Sequence, residues 1–342
     1  MGKYYVKFGL SKNFNAGSKA MKDIMALLES NGYKPVLALP VRMNKFLKLV
    51  DIPILLFTIL FKVGSKGTIV YFIPSNAQRI RFIKFLKDVL GFRLICFIND
   101  VESMRMNKSK KYAVDEMKSI ASSDVVLVPN KFSVHILSER YGLKNKLVPV
   151  EVWDYLVCDK GLTEKWIESV EPSPNVAYAG NLNLAPFIDE LSKVDLQFKI
   201  WGSKKVRGKE KNVEFMGEES PEELIGLVAE CSWGMVWYGF STENFDSPLS
   251  SYLRFCNSHK CGLYLAAGVP LIVWQESGMA FFVDKYQVGI AVSSLREAAT
   301  IINSMDDHTY AGYRRNAKKM GAQIRQGKFF LRALTVAEEL CK

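Results

Sequence analysis

The residues best placed for chemistry stand together at Asn257-Ser258-His259-Lys260, ahead of Cys261 to Gly268 and Pro270. The spacing predicts a short helix. Asn257 or Ser258 caps its start, and Gly268 with Pro270 ends it before the apolar run Leu271 to Trp274. Lys260 then falls in the first turn, where the helix dipole is positive and a cation is disfavoured by up to about 1 kcal/mol. An anion held between the lysine and the backbone N–H groups of that turn would explain the placement, since helix N-termini suit phosphate. A surface lysine accounts for the spacing equally well.

The elements that would position these residues follow from hydrophobic periodicity. Residues 3–9 alternate as a strand, the polar stretch Ser11 to Ser18 with Gly17 forms a loop, and Ala20, Ile24, Leu27 and Leu28 share one helix face. One glycine in that loop, instead of G-x-G-x-x-G, gives no support to dinucleotide binding. Further strands are expected at 36–39, 68–73, 93–98, 124–128 and 146–150, with helices at 78–90, 112–121 and 131–141. This alternation builds a doubly wound parallel sheet. Asn99 to Arg105 follow the strand 93–98, at the end where such sheets place their chemistry. Residues 158–174, polar and carrying Pro172 and Pro174, read as a linker. A second alternation follows, with strands at 175–179, 196–201, 213–216, 234–237, 271–274 and 290–292. Helices are expected at 186–192, from Pro221, at 295–304 and at 308–341, and a long polar loop covers 239–257. The fold class is therefore α/β, with two doubly wound Rossmann-like domains at 1–157 and 175–342. The last helix is a candidate to pack back on the first domain.

The formal charge of +11 is uneven. Residues 1–111 hold 20 Lys/Arg against 6 Asp/Glu, a net of +14, and residues 112–342 hold 26 against 29, a net of −3. Nucleic acid, an anionic membrane or a phosphorylated substrate would each fit a basic first part. Nucleic acid is disfavoured, because no recognition motif is present and the aromatics sit mainly in expected strands. Six cysteines without a CxxC pair, and only three histidines, argue against a disulfide framework and a zinc site. A reducing, cytoplasmic compartment fits, and no apolar leader precedes a cleavage site. Residues 45–63 are the most apolar stretch, interrupted by Asp51 and Pro53 and flanked by Lys45, Lys48 and Lys62. The uninterrupted run is too short to span a bilayer. A buried core helix and a helix lying on a membrane surface both remain open.

Two consecutive doubly wound domains describe many sugar-nucleotide transferases, with the site in a cleft between them. The segments Asn175 to Leu182, Ser258 to Val273, Phe97 to Val101, Val152-Trp153-Asp154 and Lys328-Phe329-Phe330 resemble the bacterial glucosyltransferase-3-like family, over nearly the whole chain and in the same order. That family includes β-1,6-galactofuranosyltransferases of O-antigen and capsule assembly, and enzymes that extend O-linked GlcNAc on serine-rich adhesins with glucose. Asp154 to Val157 and Ala179 to Leu182 are closer to the galactofuranosyl branch, and Leu184 stands near where the adhesin branch has a nucleotide-binding arginine. The resemblance implies a GT-B fold, its two domains facing a cleft, and transfer of a hexose, galactofuranose first, from a UDP-sugar to a lipid-linked or protein-linked glycan at the inner membrane face. A UDP-glucose or UDP-GlcNAc enzyme is the alternative, and a non-catalytic glycan-binding partner the reading from another class. No cofactor or metal is expected, because Lys260 and the helix behind it would bear the charge of the departing UDP. Ser258, His259 and Tyr264 would line the same donor site, with Gly180 and Asn181 letting backbone approach the nucleotide and Gly17 and Ser18 facing it. Asp100 is the first choice for general base and Glu102 the second, against the simpler role of a strand-end cap. Glu243 is a candidate sugar contact. Inversion at the anomeric carbon is implied, and a homo-oligomer stays open.

Overall fold

The computed structural model describes residues 2–6, 16–36, 45–106, 108–158, 160–203, 211–245 and 250–342. They form two compact units: Met1–Lys12, Met21–Val150 and Phe330–Lys342 make one, Asn13–Ala20 and Glu151–Phe329 the other.

The first unit begins with β1 (Lys3–Val6), α1 (Ala16–Ser30, its first turn grouped with the second unit), β2 (Lys34–Val36) and α2 (Lys45–Thr58). A π-helical turn, Ile59–Val63, extends α2 before β3 (Thr68–Ile73), α3 (Ala77–Leu90) and β4 (Arg93–Ile98). Then come α4 (Glu102–Arg105), α5 (Lys110–Ala121), β5 (Val125–Val128), α6 (Lys131–His135, continued by the π-helical turn Ile136–Arg140) and β6 (Lys146–Pro149). The sheet is parallel, in the order β2-β1-β3-β4-β5-β6. β3 and β5 are buried throughout and β4 is buried after Arg93, which is why these strands read as continuous apolar runs.

The second unit contains α7 (Lys160–Ser169), β7 (Ser173–Ala179), two 3-10 turns (Leu182–Leu184 and Pro186–Lys193), β8 (Gln197–Trp201) and β9 (Val213–Gly217). They are followed by α8 (Pro221–Ala229), β10 (Cys231–Val236), α9 (Ser250–Phe255), α10 (His259–Ala266) and β11 (Leu271–Trp274). The unit continues with α11 (Ala280–Tyr286), β12 (Gly289–Val292), α12 (Leu295–Asn303) and α13 (Asp307–Ile324). Its sheet is also parallel, ordered β12-β11-β10-β7-β8-β9, so the winding direction reverses between β7 and β10. The last helix, α14 (Lys328–Leu340), belongs to the first unit from Phe330 onward. There Phe330 meets Phe97 edge-on at 5.5 Å, and Glu338 accepts from Tyr33 Oη at 2.7 Å and pairs with Lys3.

Several boundaries depart from expectation. The linker at 158–174 is largely helix α7, whose Ile167 is buried, so its polar face had masked an apolar anchor. The boundary between units falls at Val150, before the anticipated Val157, because the following residues pack on α10. The loop 239–257 contains α9, and the segment 186–192 is 3-10. The long C-terminal helix is two helices, broken where Gly327 adopts φ +73°. Within the stretch 45–63, residues 52–63 are half-buried: Leu55, Ile59 and Val63 enter the core, whereas Phe57, Leu60 and Phe61 stay exposed. Residues 37–39, expected as strand, lie outside the described residues.

Candidate functional site

Open α/β sheets bind ligands beyond the strand ends where the winding reverses, which in the second unit is between β7 and β10. Helix α10 opens at that end, and both of its termini are built as the sequence signals. Ser258 is the cap, its Oγ accepting from Lys260 N at 3.3 Å. Asn257, the other candidate, sends its side-chain amide to Glu151 O at 2.9 Å. At the far end Gly268 takes φ +71° while the N–H groups of Gly268 and Val269 donate to Leu265 O and Tyr264 O, a Schellman termination.

Lys260 is only 8% exposed. Its Nζ stands 3.9 Å from the ring centroid of Tyr238 and 4.6 Å from that of Tyr178, and donates to Tyr178 Oη at 3.3 Å. Tyr178 comes from β7, and Tyr238 follows β10 by two residues. Tyr238 Oη shares a 2.9 Å hydrogen bond with Ser258 Oγ, so cage and helix cap form one network. Each ring face is worth about 0.5–2 kcal/mol to an ammonium, more when water is excluded. Burial alone would favour the neutral amine; the two tyrosines oppose it and the net displacement is upward, so Lys260 is a cation at neutral pH. Burial likewise raises the Tyr178 phenol, which stays protonated. Among the described residues no carboxylate pairs with Lys260. The strand junction therefore holds a buried cation between two aromatic faces at the start of a helix, which is chemistry for an anion.

The other expected donor residues act in different ways. A Cβ on Gly180 would stand 2.7 Å from Lys260 Cε and 3.0 Å from Nζ. Glycine there makes room for the lysine, and its own N–H is engaged with Trp201 O at 3.0 Å. Asn181 is exposed, and its Oδ1 caps the following 3-10 turn by accepting from Asn183 N at 3.1 Å. Tyr264 is fully buried over Gly234, where a Cβ would come within 2.3 Å of its ring, and its Oη accepts from Ala179 N at 2.9 Å. It fixes the end of β7 from inside the core instead of lining a ligand face. His259 lies against Trp153, ring centroids 4.2 Å apart, and Trp153 Nε1 donates to Asn257 O at 3.1 Å. The Val152-Trp153-Asp154 segment is thus a brace: Trp153 holds the start of α10, and buried Asp154 accepts from Phe329 N at 3.3 Å at the start of α14.

Gly17 and Ser18 belong to the first turn of α1, not to a loop, because the helix starts at Ala16; Ser11 to Asn15 lie outside the described residues. Glu243 pairs with Arg296 at 2.8 Å, at the start of α12, and makes no described contact with Lys260. In the first unit, Asp100 follows β4 and receives Arg105 Nη1 at 2.5 Å on one oxygen, while the other is buried without a partner. Burial raises the Asp100 pKa, with Arg105 pulling it back. Glu102 accepts from Tyr112 Oη at 2.5 Å, and its backbone N–H donates to Glu116 at 2.9 Å. The sequence reading missed Tyr178 and Tyr238 as the lysine's cage and Arg105 as the partner of Asp100. A tyrosine at the C-terminal end of each strand beside the reversal was the one visible signal.

Two doubly wound parallel sheets in tandem place the chain in the GT-B class of glycosyltransferase folds. More narrowly, the chain belongs to the glucosyltransferase 3-like family, whose N-terminal domain matches residues 3–152 and whose C-terminal domain matches residues 176–337. It is 26% identical over 324 residues to the Escherichia coli (strain K12) protein Beta-1,6-galactofuranosyltransferase WbbI, covering 92% of each chain. It is 27% identical over 280 residues to Glucosyltransferase 3 of Streptococcus gordonii, covering 81% of this chain and 80% of that one. Among solved structures, Anabaena Alr3699/HepE in complex with UDP-glucose matches 99% of both chains with a TM-score of 0.62 at 14% identity. Sucrose-phosphate synthase from Thermosynechococcus elongatus does so with a TM-score of 0.63 at 12% identity. Likeness at that level is a likeness of fold.

Proposed function

We propose that the protein is a glycosyltransferase that moves a hexose, galactofuranose in the first place, from a UDP-sugar to a hydroxyl of a growing cell-surface glycan. The observation that carries this reading is the caged Lys260 at the start of α10, a buried cation without an acidic partner among the described residues, at the reversal of the second sheet. A diphosphate supplies the anion such a site lacks. The fold shared with a protein in complex with UDP-glucose supports a UDP-sugar donor, and the match over 92% of each chain with a galactofuranosyltransferase supports the sugar.

In the proposed reaction the acceptor oxygen forms a bond to the anomeric carbon as the bond from that carbon to the β-phosphate oxygen breaks. The acceptor proton passes to Asp100, and UDP leaves with the electron pair. Lys260 and the first N–H groups of α10 would stabilise the charge that grows on the leaving diphosphate. Burial raises the Asp100 pKa against the pull of Arg105, the direction a general base requires. The test is UDP release by the purified protein over a panel of UDP-sugars, with UDP-galactofuranose generated in place by a mutase, with and without a glucoside acceptor. Release confined to the galactofuranose mixture is the expected result. Release with UDP-glucose or UDP-GlcNAc instead would reassign the donor. No binding of any donor would leave a glycan-binding partner in place of an enzyme.

A further inference from the structure

The first unit carries an apolar surface for which donor chemistry has no use. In the sheet order, the connections β2 to β3 and β3 to β4 run in the same direction, so right-handed crossovers put α2 and α3 on one face, where they pack side by side. Their sheet-facing residues, Leu55, Ile59, Ile80 and Ile83, are buried. Their outer sides expose Phe57 (60%), Phe61 (80%), Leu60, Phe85 and Val89. The Phe57 and Phe61 rings stack nearly parallel, 5.9 Å apart, as one wedge. Monomeric soluble proteins leave single apolar residues exposed, but a stacked pair of exposed phenylalanines, with Phe85 and Val89 exposed on the neighbouring helix, marks a contact surface.

The charge around the cluster selects its occupant. Between residues 57 and 93 the sequence holds seven Lys/Arg against one acid, Asp88. That acid is paired with Lys84, and Lys62, Lys66 and Arg81 of the same stretch are exposed. Exposed aromatic side chains on a strongly basic stretch match an anionic bilayer surface, where rings enter the headgroup boundary and ammonium groups meet phosphates. No helix of the described residues is long and apolar enough to cross a membrane. We propose that the outer face of α2 and α3 docks this protein on the surface of an anionic lipid bilayer.

The test is sedimentation of the full-length protein with vesicles of phosphatidylcholine plus phosphatidylglycerol, and of phosphatidylcholine alone. Binding is expected to the anionic vesicles, to fall by about tenfold or more in Phe57→Ser/Phe61→Ser, and to weaken with salt. A second variant, Lys62→Glu/Lys66→Glu, should lose anionic binding with the phenylalanines intact. All four side chains are exposed, so thermal unfolding and UDP affinity should be unchanged in both variants. Absence of vesicle binding, or binding that both variants leave intact, overturns the proposal. So does a concentration-dependent dimer that Phe57→Ser/Phe61→Ser disrupts without any lipid effect, which would assign the patch to a second copy of the chain.

Discussion

Gly180→Ala is the substitution that probes the cage most directly. The added methyl would lie 2.7 Å from Lys260 Cε, roughly 1 Å inside an ordinary carbon contact of about 3.5–4.0 Å. The lysine, as the flexible party, must withdraw by a similar distance. It then loosens its contact with two ring faces, at about 0.5–2 kcal/mol each, and its hydrogen bond to Tyr178. A loss of about 2 kcal/mol in UDP binding is the central expectation, roughly thirtyfold in Kd. Lys260→Ala should weaken UDP binding by about a hundredfold or more, as removal of one member of a buried charge pair does. The decisive measurement is the double mutant. With Lys260 gone, the next neighbour of the new methyl is Tyr178 Oη at 3.7 Å, an ordinary contact. Gly180→Ala should then add less than about 0.5 kcal/mol, a strong departure from additivity. Calorimetric titration with UDP, alongside urea unfolding to verify the fold, reads all four corners of the cycle. If Gly180→Ala weakens UDP binding equally in both backgrounds, the glycine serves the nucleotide directly and the cage argument fails.

If Asp100 is the base, its ionised form is the active one, so turnover falls as pH drops through a pKa that burial holds above the usual carboxylate value of about 4. Arg105→Ala removes the group that pulls this pKa down and should move the acid limb of the pH–rate profile upward; an unmoved limb would count against Asp100. Glu243→Gln breaks only an exposed pair with Arg296 and should change stability by less than about 1 kcal/mol and leave kcat/KM within about threefold; a large loss would place the residue on a substrate after all. Gly262→Ala would put a methyl 2.4 Å from the carbonyl oxygen of Trp153 and should destabilise the protein by about 1–3 kcal/mol in urea unfolding; a neutral result would mean that the brace on α10 is loose. Donor turnover should survive EDTA, because Lys260 and the helix N–H groups are proposed to bear the diphosphate charge; abolition restored by a divalent cation would refute that assignment.

What could be read in the sequence was what depends on neighbours in the chain. The cap at Ser258, the stop at Gly268 and the strand–helix alternation each arise from a few consecutive residues, and each is found in place. The cage is not of that kind. Tyr178 and Lys260 are separated by 82 positions, and only the order of the second sheet brings them together. Gly180 looked like a loop glycine because the side chain filling its space belongs to α10. Tyr264 shared the lysine's helix face by spacing, yet spacing does not tell that Gly234 opens a slot that draws its ring into the core. The segment 158–174 read as a linker because one buried isoleucine amid charged residues leaves a weak apolar pattern.

The return of the final helix has a consequence for how the chain is made. The first unit is finished only by Phe330–Lys342, which emerge from the ribosome after the whole second unit. Phe97, Tyr33 and Lys3 must therefore wait for Phe330 and Glu338, with the apolar ground that α14 covers left open meanwhile. Domains of multidomain proteins generally fold in the order of synthesis, first unit first. Here the second unit is positioned to complete itself earlier, and the first unit, begun before it, is closed after it.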